Sequence, residues 1–518
     1  MKIKRNLVAT ICLCAVVTGS LSAQAPRNQA PDSQTRDNAQ GASASNGSVF
    51  VNPDTAVVTK HQTTIKGQAV SYTATTGNQP VWDEHRKPIA AVNYTYYERD
   101  GVKDRSARPL VISFNGGPGS ASLWMEIGFT GPVLLKLDAE GYPVQPYGTD
   151  KNPYSILDVA DIVYVNPVNT GYSRIVGADT DRKQFFGVNE DIRYLASWIT
   201  TFVTRRNRWT SPKYLIGESY GTTRASGLSL ELQSSHSLFL NGVILVSATD
   251  LGVRRDGPVR EALTLPYMSA TAWYHKALAP DLQQKDLLQI LPEVEKFTIE
   301  EYIPALAWGG ALPTNKRSEI AGKVARYAGL SEQAVLSHNL TISTRFFWKE
   351  LLRDQGFTIG RLDSRYKGID NQDGGEGSDY NAEMTSWKHS FAPAINDYLR
   401  NDLNYKTDLE YNLFGSVNPW NREGDRTGQN LISAVAQNPN LKVLLLAGYY
   451  DGGCDYFNAK YNFWQLDKGG KFQDRFSFKG YRGGHMMYIR NEDMKQANED
   501  IRDFIKNTIP GEGVGVKY

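Results

Sequence analysis

Short apolar runs that end in glycine-rich or polar turns recur along the chain. They are LVISF (110–114), DIVYV (161–165), KYLIG (213–217), GVILVS (242–247) and KVLLLAG (442–448). Short runs this rich in β-branched residues are typical of strands that are buried on both faces of a sheet. The pattern therefore predicts the central strands of a parallel sheet.

Helical periodicity separates these runs, most clearly over residues 189–204 and 221–233. Between Val57 and Tyr97, stretches such as AVSYTAT and AAVNYTYYER alternate apolar and polar residues, which predicts antiparallel strands ahead of the parallel ones. Strands that alternate with helices favour a mostly parallel sheet covered by helices. The chain is therefore predicted to have an α/β fold.

Residues 251–429 break this rhythm, with helical patterns, many aromatic residues and few clear strand patterns. The simplest interpretation is an insertion between core strands that forms a helical cap over the site. The predicted organisation is then a first core segment at 49–250, the cap at 251–429 and a second core segment at 430–518.

A glycine-rich acidic loop at 370–379 lies within the predicted cap and raises the hypothesis of a calcium site. Its acidic residues are Asp370, Asp373, Glu376 and Asp379. The spacing departs from the EF-hand pattern, since Gly374 falls where an oxygen ligand is needed. The motifs HExxH and CxxC are absent, so zinc is not indicated either. We therefore expect a solvated loop, no metal and no cofactor.

The composition argues against a disordered chain and against a nucleic-acid-binding protein. Of the 518 residues, 41% are hydrophobic and 11% aromatic, which is enough for a large core and unlike a disordered chain. The net charge is +2 and the basic residues form no stripe, so the electrostatic footprint of a nucleic-acid-binding protein is missing. No nucleic-acid partner is expected.

The N-terminus has the three parts of a secretory signal peptide: basic residues, an apolar run at 7–17, and small residues. The basic residues are Lys2, Lys4 and Arg5. Cleavage is expected near Ala23, because Pro26 disfavours a cut after Ala25. The run is shorter than the ~18 apolar residues of a membrane helix, so no stable membrane insertion is expected once residues 1–23 are removed.

The segment that follows, residues 24–48, is rich in Gln, Asn, Ser, Ala and Asp, which predicts a flexible linker. Cys12 and Cys14 lie in the predicted signal, so Cys454 would be alone in the mature chain and no internal disulfide could form. The chain is therefore predicted to be exported, to the periplasm or the extracellular medium, without a disulfide framework.

The motif GESYG at 217–221 supplies a candidate nucleophile, Ser219. A serine between two glycines fits a sharp turn from strand to helix, because that turn needs a strained backbone and very small neighbours. The flanking sequences, KYLI before it and TTRASGLSLELQ after it, predict this strand and this helix. The context therefore indicates a nucleophile elbow of the α/β-hydrolase fold.

A serine hydroxyl needs a base and an orienting acid, which follow the nucleophile in the order acid, then histidine, in this fold. His485, in the glycine-flanked segment YRGGHMMY, is the last histidine of the chain, whereas His61 and His85 precede the serine. The strand KVLLLAG is followed by two candidate acids, Asp451 and Asp455. Asp451 is preferred because it is closer to the end of the strand.

The segment NGGPGSAS at 115–122, directly after the run LVISF, supplies a candidate oxyanion hole. Chemistry at a carbonyl needs N–H donors aimed at the developing oxyanion. Gly116 and Gly117 let the backbone approach a substrate closely, and the N–H of Tyr220 is the second candidate donor.

The motifs NGGPGSAS, NPYS (152–155), NPVNTGYS (166–173), GESYG, AGYYDGGCDY and GGHMMY together resemble those of the serine carboxypeptidases, the carboxypeptidase Y-like group. They occur in the order of that family and span about residues 110–490. The segment at 361–411 is similar to the bacterial branch. The resemblance implies an α/β-hydrolase fold and peptide substrates with a free C-terminus.

The resemblance also implies roles for individual residues. The implied catalytic triad is Ser219, Asp451 and His485, and the implied oxyanion donors are Gly117 and Tyr220. Recognition of the substrate's C-terminal carboxylate is implied for Asn115, Gly116, Glu218 and Glu126. Crowded carboxylates near a substrate carboxylate must share protons, so binding should weaken as pH rises and this network ionises.

The chain departs from the family pattern at two positions. Ser120 stands where the family usually has cysteine, and the spacing from NGGPG to the next Gly-Pro is unusual, which bears on Glu126. Cys454 occupies a cysteine position of the family, where it is either a small buried side chain or a source of thiol sensitivity.

Two alternatives to a serine carboxypeptidase stay open. One is an esterase or acyltransferase on the same scaffold, since plant relatives of the family transfer acyl groups with the same triad. The other is a non-catalytic binding protein that keeps the fold.

Overall fold

The apolar runs predicted as buried strands lie side by side in one ten-stranded sheet. The computed structural model describes residues 51–177, 179–511, 513–515 and 517. The predicted signal peptide with its two cysteines, and the predicted linker, lie outside the described residues. The strands are β1 (Thr55–Ile65), β2 (Gln68–Trp82), β3 (Pro88–Arg99), β4 (Leu110–Phe114), β5 (Val133–Leu135), β6 (Thr149–Lys151), β7 (Asp161–Val165), β8 (Arg174–Ile175), β9 (Lys213–Glu218), β10 (Gly242–Val246), β11 (Thr358–Ile359), β12 (Lys367–Gly368), β13 (Lys442–Gly448) and β14 (Phe476–Tyr481).

The order of strands in the sheet is β1-β2-β3-β7-β4-β9-β10-β13-β14, with β8 paired to β3. Pairing is antiparallel from β1 to β7 and parallel from β7 to β14. The predicted α/β-hydrolase fold, a mostly parallel sheet with antiparallel strands from the N-terminal part of the chain, is confirmed. Two further pairs, β5 with β6 and β11 with β12, lie outside this sheet.

Helices follow most of the parallel strands. They are α1 (Leu123–Met125), α2 (Val188–Arg205), α3 (Tyr220–His236), α4 (Gly257–Ala262), α5 (Leu265–Tyr274), α6 (Pro280–Gln283), α7 (Leu287–Phe297), α8 (Ile303–Trp308), α9 (Thr314–Ala328), α10 (Glu332–Ser337), α11 (Thr344–Glu350), α12 (Ala382–Asp397), α13 (Thr427–Gln437), α14 (Tyr456–Leu466) and α15 (Asn491–Thr508). In the part of the chain that the structure describes, no helix combines the length and the apolarity that a membrane crossing requires.

Both faces of the sheet are buried because its central strands send alternate side chains into two apolar clusters. On β9, Tyr214 and Ile216 belong to one cluster and Leu215 to the other. The first cluster includes side chains from α12 and α15, and the second includes side chains from α2, α3 and α13. This two-sided burial explains why the strand sequences are continuous apolar runs.

The chain between β10 and β13 divides between two parts of the molecule. Residues from 262 to 359 form an apolar cluster of their own, built from α4 to α11. Helix α12 instead packs Trp387 and Phe391 into the first cluster of the sheet. The segment at 251–429 thus contributes both to a cluster of its own and to a cluster of the sheet.

The acidic loop at 370–379, expected to be solvated, has one buried side chain, that of Asp370. The side chain of Asp370 is 2% exposed and pairs with Lys349 at 2.5 Å. Its other oxygen accepts the N–H of Asp379, which in turn accepts from Asn371. The loop is held by these internal bonds, while Asp373 and Glu376 are exposed.

Candidate active site

The predicted site residues lie at one edge of the sheet, because neighbouring parallel strands end on the same side. Asn115 follows β4, Ser219 follows β9, Asp451 lies beyond β13 and His485 lies beyond β14. All four strands belong to the parallel part of the sheet. Residues far apart in sequence are thereby brought to one place.

Ser219 sits on a strained turn between β9 and α3. Its backbone has φ 57° and ψ −126°, a conformation that costs free energy in a residue with a β-carbon. The Ser219 N–H donates to the carbonyl of Val246 at 3.0 Å, which fixes the turn against β10. A side chain at Gly217 would collide with Gly221 O, and one at Gly221 would lie 2.6 Å from Phe114 O. Both glycines of the motif are required by this close approach.

His485 and Asp451 form a buried pair. His485 Nδ1 lies 2.7 Å from Asp451 Oδ2, and the two residues are 5% and 0% exposed. The other oxygen, Asp451 Oδ1, accepts the backbone N–H groups of Gly453 and Cys454 at 2.8 and 3.0 Å. Asp455, the alternative acid, instead caps α14 by accepting the N–H of Asn458. Of the two candidates, Asp451 is the one bonded to the histidine.

The environment of His485 acts on its pKa in two directions. Burial lowers the pKa, but the charge and hydrogen bond of Asp451, helped by the charge of Glu218, outweigh burial and raise it above its usual range. The imidazole is thus prepared to accept a proton. Among the described residues, no hydrogen bond joins His485 Nε2 to Ser219 Oγ; such bonds often tighten only when substrate is bound.

The glycine-rich segment after β4 lies against the nucleophile turn. A β-carbon at Gly116 would lie 2.9 Å from Ser219 Cβ and collide with Tyr220 N, so only glycine allows this approach. Gly117 has φ 103°, a conformation that favours glycine. The N–H of Tyr220 is the first of α3 and has no acceptor within the helix. The segment that carries Gly117 therefore lies against the turn that carries Ser219 and Tyr220.

Arg224, which the sequence analysis did not single out, anchors this segment from α3. Its guanidinium donates to the carbonyls of Asn115 at 2.8 Å and Pro118 at 2.5 Å. Asp191 on α2 accepts from Arg224 Nε at 2.6 Å in a fully buried ion pair. Nothing in the local sequence distinguishes Arg224 from a surface arginine, since its partners are distant in the chain.

Glu218 is the centre of a second buried group of side chains. Glu218 Oε2 accepts from Asn115 Nδ2 and from the Tyr488 hydroxyl, both at 2.5 Å. Burial is the main cause that raises the pKa of Glu218, opposed by His485 and by these two donors. Its other oxygen lies 3.9 Å from His485 Nε2. Tyr488 was missed from sequence although it stands in the motif GGHMMY.

Glu126 differs from the expectation that it joins Asn115 and Glu218. It lies in a π-helical turn at 126–130, 2% exposed, and accepts the Tyr97 hydroxyl at 2.7 Å. Tyr97 is on β3, and its hydroxyl also contacts Tyr398 at 3.1 Å. Burial raises the pKa of Glu126 to about 7. Within the described residues, the side chain that bonds to Glu218 beside Asn115 is thus Tyr488 and not Glu126, whereas Met125, next to Glu126, donates its backbone N–H to Asn115 Oδ1.

The stretch at 361–366, in the chain between β10 and β13, connects the two loops that carry Asp451 and His485. Leu362 O accepts the His485 N–H at 2.6 Å, and Arg361 O accepts the Gly452 N–H at 2.9 Å. Glu383 Oε1 on α12 accepts the Leu362 N–H at 2.9 Å and so holds the stretch itself. No sequence motif indicated these contacts, because the atoms of 361 and 362 that make them belong to the backbone.

Three possible metal ligands meet at this site. Ligand atoms of Asp451, Cys454 and His485 all lie within 4.8 Å of one another. Both oxygens of Asp451 already accept hydrogen bonds, and His485 Nδ1 is engaged in one of them. Burial raises the pKa of the Cys454 thiol well above its usual range, which disfavours the thiolate that a metal binds. The arrangement is suited to proton transfer rather than to metal binding.

Known proteins are similar in sequence to parts of this chain. The family model described as serine carboxypeptidase matches residues 84–279. A retinoid-inducible serine carboxypeptidase of Rattus norvegicus is 30% identical over 257 residues, 47% of this chain and 51% of the relative. Its counterpart in Homo sapiens is 32% identical over 157 residues, 29% of this chain and 31% of the relative. The chain therefore spans a third to a half of the length of these curated relatives.

A solved structure also aligns with most of the chain. It is a prohormone-processing carboxypeptidase from Saccharomyces cerevisiae, 13% identical, with a TM-score of 0.49 over 84% of this chain and 91% of its own. The family-model match lies on the strands and turns that carry Asn115 and Ser219. Over these residues the chain is therefore similar in sequence to the serine carboxypeptidases.

Proposed function

We propose that this protein is a serine-type carboxypeptidase that releases C-terminal residues from peptides through an acyl-enzyme. The observation that carries the proposal is the position of His485 between two buried carboxylates. Asp451 lies 2.7 Å from one ring nitrogen and Glu218 lies 3.9 Å from the other. Asp451 is placed to orient His485 as a base, and Glu218 is placed to recognise a substrate group next to the scissile bond.

In the proposed first step, Ser219 Oγ attacks the carbonyl carbon of the scissile peptide bond. His485 Nε2 takes the hydroxyl proton, and Asp451 stabilises the resulting imidazolium through Nδ1. The carbonyl oxygen becomes an oxyanion, which the N–H groups of Gly117 and Tyr220 stabilise. His485 then gives the proton to the departing amine, and the C–N bond breaks.

In the proposed second step, water attacks the ester formed on Ser219. His485 removes a proton from that water and returns it to the serine oxygen as the acyl group leaves. Every proton lost by one group is gained by another in the two steps, so the free enzyme is regenerated. The residues named supply all the acid–base chemistry required.

Recognition of the C-terminal carboxylate is proposed for Asn115, Gly116 and Glu218, with Tyr488 as their partner. The raised pKa of Glu218 supports this role, because a protonated carboxyl can donate a hydrogen bond to a substrate carboxylate. Glu126 is left out of the proposal, because its hydrogen bond goes to Tyr97.

Export and the cap are further proposals. The sequence at 1–23 supports cleavage of a signal peptide on the way to the periplasm or the medium. Expression of the full chain with N-terminal sequencing of the exported form tests this, with a new terminus near Gln24 as the expected result. Residues 251–429 are proposed to cover the site in part.

The experiment that tests the main proposal compares a blocked dipeptide that has a free C-terminus with the same dipeptide as its amide. A carboxypeptidase should prefer the free acid by about 10-fold or more, since only the acid satisfies the buried carboxylate site. Ser219→Ala should lower kcat by a factor of ~10⁴ or more. Equal cleavage of acid and amide would favour the esterase or acyltransferase alternative. Failure of a fluorophosphonate to label Ser219 would favour a non-catalytic binding protein.

A further inference from the structure

The two oxygens of the buried Glu218 side chain have different surroundings. Oε2 accepts the Asn115 amide and the Tyr488 hydroxyl, both at 2.5 Å. Oε1 lies 3.9 Å from His485 Nε2. Two donors on Oε2 disfavour a proton there, and Tyr488 keeps its own proton because burial raises its pKa well above the usual range. A proton held by Glu218 therefore lies on Oε1, the oxygen that faces the base.

The other nitrogen of His485 is already engaged. Nδ1 is bonded to Asp451 Oδ2 at 2.7 Å, so Nε2 is the position at which the imidazole gains or loses a proton. Burial lowers the pKa of His485, and so does the charge of Arg361, which also acts on buried Glu383. Asp451 and Glu218 outweigh these two effects and raise the pKa. The surroundings of the imidazole therefore favour its protonated form.

His485 and Glu218 bind protons as a coupled pair. They are 5% and 3% exposed, and a buried carboxylate needs a positive partner. Burial raises the pKa of Glu218, and the charge of His485 opposes that rise. Each of the two charges thus stabilises the other. When the pair holds one proton and no substrate is bound, we expect that proton on Nε2 and a carboxylate at Glu218, because Asp451 and the two donors on Oε2 favour this arrangement.

The base is blocked in this form of the site. An imidazolium carries a proton on Nε2, so it has no lone pair with which to take the hydroxyl proton of Ser219. The protein without substrate then has its nucleophile and its histidine in place, but the histidine cannot act as a base.

A substrate carboxylate bound at Asn115, Gly116 and Glu218 changes this balance. Two carboxylates that meet in a buried site must share a proton, since like charges raise each other's pKa. The nearest proton is the one on His485 Nε2, 3.9 Å from Oε1. The N–H bond at Nε2 breaks, an O–H bond forms at Oε1, and this hydroxyl donates to the substrate carboxylate. The site neither gains nor loses a proton, and Nε2 becomes a free base.

We infer that Glu218 has a catalytic role besides recognition: it takes the proton of His485 when a C-terminal carboxylate binds, so that the base becomes active on substrates with a free C-terminus. The inference rests on the proposed carboxypeptidase function and concerns the regulation of the same site. A substrate with a blocked C-terminus leaves the proton on His485. The preference for the free acid should therefore be found in the rate of the bound complex as well as in binding.

The test compares a blocked dipeptide acid with its amide, which has the same acyl group. The single-turnover release of the leaving residue at saturating concentration reports the protonation of the enzyme–substrate complex. We expect the acidic limb of this rate to lie about 1 pH unit lower for the acid than for the amide, because the nearest negative charge moves from Oε1 to the more distant substrate. If the proton did not move, the added substrate charge would shift the limb to higher pH instead.

Three variants assign this separation of the two limbs. Glu218→Gln cannot take up the proton, so the limb for the acid should no longer lie below that for the amide. Tyr488→Phe keeps the carboxyl group and should keep the separation. Glu126→Gln is the matched control, because Glu126 is equally buried but is bonded to Tyr97, and it should behave as wild type.

A second measurement follows the proton directly and needs no turnover. In Ser219→Ala, the nitrogen-15 resonance of His485 Nε2 reports whether that nitrogen carries a proton, and its absence from the spectrum of His485→Gln identifies it. At a pH at which the ring is protonated in the amide complex, replacing the amide by the acid should give the signal of a nitrogen without a proton. The full chain labelled at histidine is the sample.

Three results would overturn the inference. They are a limb for the acid that does not lie below that for the amide in wild type, a separation that survives in Glu218→Gln, and a nitrogen signal that stays protonated when the acid is added. Failure of the proposed function gives a different result, namely no cleavage of either dipeptide. The nitrogen signal of Ser219→Ala then still decides whether the proton moves.

Discussion

The sheet and the chain between β10 and β13 contribute to the same site in different ways. The sheet carries the side chains proposed to react, each placed at or shortly after the end of a strand. The intervening chain contributes the stretch at 361–366, which binds the two neighbouring loops through backbone carbonyls. The sheet therefore determines which chemistry is available, and the intervening chain determines how tightly its acid and base are held.

The comparison extends to two buried glutamates. Glu218, at the end of β9, is bonded to side chains of the site and lies near His485. Glu383, on α12, accepts the backbone N–H of Leu362, and among the described residues its second oxygen is buried without a hydrogen-bond partner. Burial raises the pKa of both. Only the first is placed to contact a substrate.

The largest expected loss of activity comes from changing Asp451, one of the side chains that the sheet contributes to the site. Asp451→Asn keeps the size of the side chain but loses the charge that orients and stabilises the imidazolium. We expect kcat to fall by about 10⁴-fold, as measured by steady-state hydrolysis of a blocked dipeptide at the pH of highest activity.

The matched control is Asp455→Asn, four residues further on. Asp455 caps α14, and asparagine is also a good cap, so its activity should stay within about 3-fold of wild type. Similar losses in the two variants would contradict the assignment of Asp451.

A smaller effect is expected at Glu218. In wild type, KM for a peptide acid should rise with pH, because Glu218 loses its proton as pH passes its raised pKa and then repels the substrate carboxylate. Glu218→Gln is neutral at every pH, so this rise of about 10-fold should disappear. The acidic limb of kcat/KM should also move to lower pH, because His485 loses a charge that raises its pKa.

Tyr488→Phe is the matched variant for this prediction. It removes one donor to Glu218 and leaves the carboxyl group in place, so the pKa of Glu218 should rise further and the increase in KM should begin at higher pH. An unchanged pH profile in Glu218→Gln would contradict the role proposed for this carboxyl group.

The smallest effect on activity is expected at Glu383. Its pKa is about 7 in the folded protein against an ordinary value of 4.5, so the folded state binds the proton more tightly. The free energy of unfolding should therefore fall as pH rises from about 4.5 to about 7, by on the order of 3 kcal/mol. Glu383→Gln should remove this loss, seen as a melting temperature that changes less between pH 5 and pH 8.

Glu126→Gln is the control for Glu383→Gln, because Glu126 is also buried, and burial raises its pKa to about 7 as well. Both variants should flatten the dependence of stability on pH. Only Glu383→Gln is expected to change kcat, by less than about 5-fold, because only Glu383 holds the backbone that binds His485. Equal effects of the two variants on kcat would mean that the hydrogen bond from the Leu362 N–H to Glu383 has no influence on His485.

Sequence patterns predicted the sheet better than the intervening chain for a physical reason. Strands buried on both faces must be apolar throughout, so LVISF, DIVYV and KVLLLAG coincide with β4, β7 and β13. The glycines of the nucleophile turn were also readable, because steric collisions exclude other residues. In both cases the structure restricts which residue types can stand at these positions, so the local sequence reveals it.

The remaining parts of the site depend on contacts that do not restrict the residue types in the local sequence. Leu362 acts through its carbonyl, which every residue has. Tyr488 meets Glu218 only because the chain beyond β14 returns to the end of β9, two strands away in the sheet. Glu126 was expected near Glu218 from the resemblance to the family, but it lies in the π-helical turn at 126–130 and accepts the Tyr97 hydroxyl instead.

The bond between Leu362 O and the His485 N–H has a consequence for the order in which the protein becomes active. During synthesis, Ser219 and its glycine-rich neighbours emerge first, and the last parallel strand emerges near the end. A partly synthesised chain therefore carries a nucleophile without acid or base. Completion requires the intervening chain to dock between two loops that are made after it. The cell that makes this protein would not meet the proposed peptide-cleaving activity until the intervening chain and the loops beyond β13 and β14 have been made and folded.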